Sequence, residues 1–248
     1  MEKSKPVLFY AIPTYDNSYI GDVMDGYYDG VNGGVEHIPH SKMKVSGSLL
    51  ANVFNRLWAE CFTHNVRVDA GIEVNHPRFT HFLMNHADIY VNDGGGWIHK
   101  MLKIMEDKRL DVLSVNSPIK TSTVNGVGDT STAVMIGDKI RRLKLEELAK
   151  LPETITPADT LQEYGSDKLL INTGVMLVDL ARIDPTKQFF HITDGMKRMD
   201  NKALFVDVLS EDWNFSMMLN KAGLRYGATR AIKLLHYGQA VWGNQHEV

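Results

Sequence analysis

Short apolar runs recur along this chain, and most of them end in clusters of polar residues. The first run, Pro6 to Ile12, reads PVLFYAI and is closed by Pro13 and a polar loop. Apolar runs of this length, bounded by turn residues, favour buried β-strands. Similar runs at Phe79–Ile89, Leu110–Ser114 and Lys168–Leu177 predict further strands.

Helical patterns separate these runs. Residues 48–62 carry apolar side chains at helical spacing, with Ser48 as the predicted N-cap. An amphipathic helix is predicted for Trp97–Lys108, a short helix for Asp212–Ala222, and a partly helical segment for Ile140–Leu151. Alternation of strands and helices indicates a parallel sheet, in which ligands bind at the carboxyl ends of the strands.

Other segments show no clear period. Residues 19–47 are predicted to be a long irregular segment, and residues 63–78 have no assigned structure. The sequence also predicts a loop over residues 116–132 and a charged connecting stretch over 184–203. One or two late strands are expected between Leu224 and Tyr237.

Composition limits the classes of protein that this chain can represent. Its 248 residues show no break in composition, so we expect one domain over residues 1–248. The net charge of −3 argues against a nucleic-acid binder driven by overall charge. The single cysteine, Cys61, excludes an intramolecular disulfide, and its apolar surroundings predict a buried thiol. Without a secretory pattern or a long apolar span, a cytoplasmic location is expected.

One candidate site follows the predicted strand at Phe79–Ile89. His86 and Asp88 lie two residues apart at the end of this strand. A carboxylate there can hold a divalent ion against a diphosphate, and an imidazole ligand shifts the preference toward Mn²⁺. An ordinary turn with a capping aspartate remains the alternative.

A second candidate site is the acidic pair Glu211 and Asp212, which stands before a predicted helix. A carboxylate at a helix start is often a cap, but it can also act as a general base. His236 follows a late apolar run. It becomes a candidate ligand only if the fold brings it to Asp88.

Several short motifs then follow one another along most of the chain. They are Ile12–Asp16 (IPTYD), Asn55–Leu57 (NRL), Thr80–Ile89 (THFLMNHADI), Pro118–Lys120 (PIK), Thr130–Thr132 (TST), Arg141–Thr154, Ile171–Gly174 (INTG), Glu211–Ser216 (EDWNFS), Ala228–Arg230 (ATR) and His236–Gly238 (HYG). In this order they resemble the GT-A glycosyltransferases, in particular family-2-like proteins common in bacteriophages and bacteria. The resemblance implies a GT-A-type α/β fold, Rossmann-like, with a mainly parallel central sheet flanked by helices in one domain.

The resemblance also implies an enzyme that uses a nucleotide-sugar donor and a divalent metal, Mn²⁺ or Mg²⁺. The donor contacts that it implies are Pro13, Thr14, Tyr15, Asp16, Asn55, Arg56, His86, Lys120, Asn172, Thr173 and Gly174. The implied metal ligands are Asp88 and His236, with His86 as a third. Asp212, with Glu211 beside it, matches the catalytic base of inverting members.

One departure from the family pattern concerns the metal site. The usual D-x-D motif begins with an acidic residue, and this chain has His86 in that place. The replacement leaves the identity of the metal open. The segment from Val66 to Arg78 looks like an addition near the donor site and has no assigned role.

The sequence does not identify the acceptor, and two classes remain open. A hydroxymethylated pyrimidine in phage DNA would need base flipping and Lys or Arg contacts to phosphates. Two basic groups could supply those contacts, Arg141, Arg142 and Lys144, and Lys197, Arg198 and Lys202, unless they are solvated helix faces. The other class is a surface glycan or a small molecule.

A catalytically inactive protein that binds sugar nucleotides is a further alternative. UDP-glucose is the default donor that the resemblance suggests, and the enzyme type is a hexosyl- or pentosyltransferase. The oligomeric state is not indicated.

Overall fold

The computed structural model describes residues 5–16, 18–33, 37–72, 77–119, 128–198, 203–238 and 241–243. Its strands are β1 Leu8–Thr14, β2 His40–Ser46, β3 His81–Asn85, β4 Ile89–Val91, β5 Val112–Val115, β6 Asp129–Ile136, β7 Lys139–Lys144, β8 Thr154–Ile155, β9 Leu169–Leu170, β10 Val175–Asp179, β11 Thr193–Arg198, β12 Leu204–Leu209, β13 Tyr226–Thr229, β14 Leu234–Tyr237 and β15 Val241–Gly243. Its helices are α1 Gly21–Asn32, α2 Leu50–Asp69, α3 Trp97–Lys108, α4 Leu145–Leu148, α5 Pro157–Tyr164 and α6 Glu211–Lys221, with a 3₁₀ turn at Leu180–Arg182.

A seven-stranded sheet forms the centre of the structure, in the order β2-β1-β3-β10-β5-β13-β8. Strands β1, β2, β3, β5 and β13 run in one direction, whereas β8 and β10 run in the other. The predicted α/β class, with a mainly parallel central sheet flanked by helices, is confirmed. This is the arrangement expected of a GT-A domain.

Both faces of this sheet are covered by apolar side chains. Successive residues of a strand point to opposite faces, so Phe9 of β1 joins one buried cluster and Tyr10 joins the other. Helices α2 and α6 pack on the Phe9 side, whereas α1 and α3 pack on the Tyr10 side. Cys61 of α2 is fully buried on the Phe9 side, as predicted, and burial raises the pKa of its thiol.

The described residues also form three smaller sheets. In one of them, β14 pairs with β4 and β15. The second sheet joins β7, β6 and β9, and the third is a two-stranded ribbon of β11 and β12. The pairing of β14 with β4 matters most for the site, because it brings His236 opposite Ile89, next to the end of β3.

Several local predictions were wrong. The predicted irregular segment 19–47 contains helix α1 and strand β2. Glycines at Gly26 and Gly30 occupy buried positions of α1, so its helical period was not visible as an apolar pattern. At Gly30 an added Cβ would lie 2.4 Å from the indole nitrogen of Trp97, so this close contact between α1 and α3 requires glycine.

Other boundaries also differ. Helix α2 begins at Leu50, and its N-cap residue is Leu49 rather than Ser48. The predicted strand Phe79–Ile89 is two strands, β3 and β4, separated by a turn. The segment expected to be partly helical, 140–151, begins with strand β7 and continues into the short helix α4.

The charged stretch 184–203 contains strand β11 of the ribbon. By contrast, the boundaries predicted for the Trp97–Lys108 helix agree with those of α3. No helix within the described ranges has the length and apolar character needed to cross a bilayer.

Candidate functional site

A cleft of about 400 Å³ opens at the carboxyl end of β1. We call it the β1 cleft; it is lined by Pro13, Thr14, Tyr15, Asp16, Ser18, Tyr19, Ile20, Leu50, His86, Ala87 and Asp88. Six residues predicted to bind the donor or the metal therefore meet in one place, although they come from two separate segments. Their meeting follows from the parallel pairing of β1 with β3, which brings the two polar strand ends to one edge of the sheet.

The loop after β1 is held in shape by its own side chains. The Thr14 hydroxyl donates to the carbonyl of Ser18 at 2.6 Å. The Asp16 carboxylate accepts from the backbone N–H of Ser18 at 3.0 Å and also from the Ser18 hydroxyl. These hydrogen bonds lower the pKa of Asp16, so this exposed carboxylate is ionised at neutral pH.

The turn between β3 and β4 is fixed on several sides by backbone hydrogen bonds. Ala87 N–H donates to the Pro13 carbonyl at 3.2 Å, and His86 N–H donates to the Gly174 carbonyl at 2.8 Å. On the opposite side, Tyr237 N–H donates to the Asp88 carbonyl at 2.8 Å. The position of Asp88 is therefore set by β1, β10 and β14 together.

Asp88 and His236 face each other across this turn. His236 Nε2 lies 3.7 Å from Asp88 Oδ2. The other ring nitrogen, Nδ1, lies 2.8 Å from the Pro118 carbonyl, which can only accept a hydrogen bond. In the neutral form that binds a metal, Nδ1 therefore carries the proton, and the lone pair is on Nε2, which faces Asp88. A fixed tautomer of this kind is typical of histidines that bind metals.

The separation of the two groups fits joint binding of one metal ion. A carboxylate and an imidazole that face each other at this separation could both hold a divalent ion such as Mn²⁺. The described residues contain no group of three or more His, Cys, Asp and Glu side chains suited to a metal. Asp88 and His236 would therefore need oxygens from a ligand or from water to complete a coordination sphere.

His86 is placed differently from these two residues. Its ring packs against Phe54 of α2, with ring centroids 4.9 Å apart. It lines the β1 cleft, but it does not form a three-residue metal group with Asp88 and His236. The structure thus brings together two of the three predicted metal ligands.

The predicted segment Asn172–Gly174 lies buried just before β10, between the two parts of the site. The Ser114 hydroxyl donates to the Asn172 carbonyl at 2.6 Å. A Cβ on Gly174 would lie 2.5 Å from the end of the Ile89 side chain, so a larger residue here would force Ile89 to move. On the other side, the Thr173 hydroxyl donates to Asp212.

Glu211 and Asp212 form the first turn of α6, where the helix dipole favours negative charge. Burial, followed by the nearby Glu211, raises the pKa of Asp212 to about 7. The hydrogen bond from Thr173 and the charge of Arg142 oppose this shift. Burial also raises the pKa of Glu211. A carboxyl group with a pKa near neutrality can accept and release a proton at physiological pH.

Tyr15 connects the acidic pair to the metal candidates. Its ring is 63% exposed, and it lines the β1 cleft. Burial of part of the ring raises the pKa of its hydroxyl, and the charges of Glu211 and Asp88 raise it further. Both carboxylates therefore lie within electrostatic reach of this one side chain.

A second cleft of about 560 Å³ adjoins the first and shares Tyr15 and Leu50 with it. We call it the α2 cleft; its other lining residues are Ser48, Leu49, Ala51, Asn52, Asn55, Phe190, His191, Ile192 and Glu211. Asn55, a predicted donor contact, lies here rather than in the β1 cleft. Its side-chain amide donates to the Phe190 carbonyl at 2.6 Å and accepts from the Phe190 N–H at 2.8 Å.

Some of the predicted donor contacts line neither cleft. Asn172, Thr173 and Gly174 are not among the lining residues of either one. Arg56 is exposed on α2 and lines neither of them. Lys120 lies outside the described residues.

Sequence reasoning missed the way in which Arg142 approaches the acidic pair. The guanidinium carbon of Arg142 lies 4.6 Å from the centroid of the Trp213 ring, and its charge acts on Asp212. Arg141 points away and pairs with Glu147. The two arginines therefore do not form one basic face. Successive residues of a strand point to opposite faces. If the segment had been identified as a strand, the sequence would have predicted that Arg141 and Arg142 point in opposite directions.

No protein-family model and no curated protein sequence matches the chain. Among solved structures, similar ones include S. aureus TarS residues 1–349, with a TM-score of 0.46 and 11% identity over 90% of this chain and 58% of that chain. The same TarS fragment in complex with UDP-GlcNAc gives a TM-score of 0.43 and 11% identity over 90% and 56% of the two chains. Its complex with UDP gives 0.42 and 12% over 90% and 57%.

The present chain thus spans less than two thirds of the TarS fragments that it resembles. At these identities and TM-scores the likeness gives no basis for transferring an activity or a substrate. The α/β fold class follows from the order and direction of the chain's own strands.

Proposed function

We propose that this protein is a glycosyltransferase that uses a nucleotide-sugar donor and a divalent metal ion. The observation that carries the proposal is the Asp88–His236 pair at the end of the β1 cleft, with His236 Nδ1 against the Pro118 carbonyl and Nε2 facing Asp88. Both Asp88 and Glu211 of the acidic pair act electrostatically on Tyr15, which lines the β1 cleft and the adjoining α2 cleft. Glu211 itself lines the α2 cleft.

The charges of the β1 cleft support a role for a cation. Its described lining contains the carboxylates of Asp16 and Asp88 but neither lysine nor arginine. Lys44 only approaches the edge, with its Nζ 5.0 Å from the ring centroid of Tyr19. A donor diphosphate would be repelled by this lining unless a cation lay between them.

Asp88 and His236 are the residues that would hold this metal, which would neutralise the charge that develops on the leaving diphosphate. Tyr15, Asp16 and Ser18 line the side of the β1 cleft against which the nucleoside would rest. Residues Asn172–Gly174 connect the turn between β3 and β4 to Asp212 through the hydrogen bonds of Gly174 and Thr173, so they would lie on the sugar side of the donor.

Asp212 is the proposed general base. Its carboxylate accepts the proton of the acceptor hydroxyl, and the bond between the acceptor oxygen and the anomeric carbon forms. The bond from that carbon to the diphosphate oxygen breaks, and its electron pair leaves with the nucleoside diphosphate. Attack from the face opposite the leaving group inverts the anomeric configuration. Thr173 orients the carboxylate through its hydrogen bond.

The experiment is donor turnover by the purified protein with Mn²⁺ and a panel of nucleotide sugars, starting with UDP-glucose. Release of nucleoside diphosphate is measured for the wild type, for Asp212→Asn, and for Asp107→Asn on the exposed side of α3 as a control. General bases contribute roughly 10²–10⁴-fold to a rate, so Asp212→Asn should lose about that much. Binding of UDP should be retained, because the carboxylate serves the acceptor side.

Two results would contradict the proposal. If Asp212→Asn turns over at the same rate as Asp107→Asn, Asp212 is not the base. If no nucleotide sugar is either bound or cleaved, the protein is not a glycosyltransferase of this kind. Binding without any turnover would instead favour a protein that only binds sugar nucleotides.

A further inference from the structure

The α2 cleft has a chemistry different from that of the β1 cleft. Three large apolar side chains stand at its opening with unusually high exposure, namely Tyr15 at 63%, Leu49 at 73% and Ile192 at 50%. Its floor is Phe190, which is only 1% exposed. Apolar side chains around a concave surface are typical of sites that bind an apolar part of a ligand.

The floor of this cleft is rigidly built. Phe190 stacks on Phe215 of α6 with ring centroids 4.7 Å apart, and it meets Phe54 of α2 edge to face at 5.3 Å. The two hydrogen bonds from Asn55 fix its backbone. Because α2, α6 and the chain before β11 all contribute, the cleft is preformed rather than a gap between loops.

The cleft is also placed where an acceptor is needed. It shares Tyr15 and Leu50 with the β1 cleft, so the two clefts adjoin each other. Glu211, the neighbour of the proposed base, lines its wall. A molecule bound here would present its nearest hydroxyl to the acidic pair and to the donor.

Its charge argues against an anionic ligand. Among the described lining residues, Glu211 is acidic, and none is a lysine or an arginine. A phosphate backbone is recognised mainly by Lys and Arg. DNA or another polyanion would therefore meet repulsion rather than attraction at this position.

We propose that the α2 cleft binds the acceptor, and that the acceptor is an uncharged alcohol carrying an aromatic or similarly flat apolar group. The flat group would lie between Leu49 and Ile192 over Phe190, and the hydroxyl would face Glu211. This inference rests on the proposed function, since it names the acceptor class of the same reaction.

The test compares two glucosides that differ only in their apolar part. Binding of 4-nitrophenyl β-D-glucopyranoside and of methyl β-D-glucopyranoside is measured by calorimetry, with the protein already saturated with UDP and Mn²⁺. Burial of the ring should make the nitrophenyl compound bind about ten-fold more tightly. Leu49→Asp and Ile192→Asp should each remove most of this preference.

Leu161→Asp is the matched control, because Leu161 is 53% exposed on α5 and lines neither cleft. It should keep the full preference. Thermal unfolding of all three variants checks that they fold. Since all three positions are largely exposed, little change is expected.

The outcomes separate the two proposals. If neither UDP nor any other nucleoside diphosphate of the donor panel binds with Mn²⁺, the proposed function itself is overturned. Binding of UDP with equal affinity for the two glucosides would overturn the inference about the acceptor alone. A duplex containing 5-hydroxymethylcytosine serves as a further probe. If it binds more tightly than the nitrophenyl compound and loses its affinity in Ile192→Asp, the acceptor is DNA and the proposed class is wrong.

Discussion

Asp212, the second of two adjacent carboxyl groups at the start of α6, should control how the rate of the reaction depends on pH. Burial and the charge of Glu211 raise the pKa of Asp212 to about 7, while the hydrogen bond from Thr173 acts in the opposite direction. The rate of sugar transfer should therefore rise with pH through about pH 7, because only the ionised form accepts a proton.

Two variants should move this rise in opposite directions. Glu211→Gln removes a negative charge and should shift the rise toward lower pH. Thr173→Val removes the donor to the Asp212 carboxylate and should shift it toward higher pH. Profiles of kcat/KM against pH measure both shifts. Shifts in the same direction, or none, would show that Asp212 does not control the profile.

The same pKa shift has a consequence for stability that needs no substrate. Between the ordinary pKa of an aspartate, about 4, and about 7, the folded state holds the proton of Asp212 more tightly than the unfolded state does. The contribution of this group to the free energy of unfolding is therefore full below pH 4 and declines as the pH rises to 7. Asp212→Asn should flatten this decline in urea titrations at several pH values, whereas Asp107→Asn should leave it unchanged.

Gly174 gives a prediction about the shape of the site. A Cβ there would meet Ile89 at 2.5 Å and Asn172 at 3.0 Å, so Gly174→Ala should cost about 1–3 kcal/mol in the free energy of unfolding. Gly195→Ala is the control, because nothing lies within 4 Å of a Cβ at that position. Urea denaturation measures both. Equal stability of the two variants would show that the turn near Asp88 adapts to a side chain.

At the scale of elements, the β11–β12 ribbon contrasts with the central sheet. Met196 and Val206 lie opposite each other in the ribbon, and they are 69% and 60% exposed. Replacing either by Thr should change the free energy of unfolding by no more than about 0.5 kcal/mol. Leu177→Ala in β10 should cost about 2–5 kcal/mol, since Leu177 is fully buried. A large loss in Met196→Thr would show that this face of the ribbon is covered in solution.

The sequence predicted elements whose pattern is local. Helix α3 was predicted with the correct ends, because its amphipathic period is regular and three glycines precede it. Helix α1 was missed because Gly26 and Gly30 replace apolar side chains at its buried positions. Strand β7 was taken for part of a helix because its charged residues hide the alternation between its two faces.

At the scale of the whole molecule, the site depends on pairings between segments far apart in the chain. Strand β10 enters between β3 and β5 in the opposite direction, which brings Thr173 to Asp212. Strand β14 pairs with β4, which brings His236 to Asp88. No local pattern encodes these pairings; only the family resemblance indicated that His236 and Asp88 would meet. The α2 cleft, which joins α2 to the chain before β11, was not predicted.

Because Asp88 and His236 are two ligands at most, and no larger metal-binding group is found in the part of the chain that the structure describes, metal and nucleotide should bind together. Mn²⁺ alone and UDP alone should each raise the Tm little, whereas both together at about 100-fold above their joint Kd should stabilise the fold by about 2.7 kcal/mol. For a chain of this length, each kcal/mol corresponds to roughly 2–4 °C in Tm. Asp88→Ala and His236→Ala should abolish the combined shift, whereas His37→Ala, an exposed histidine outside the β1 cleft, should preserve it. If UDP alone gives the full shift in the presence of a chelator, the nucleotide is held without a metal, and the Asp88–His236 pair has another role.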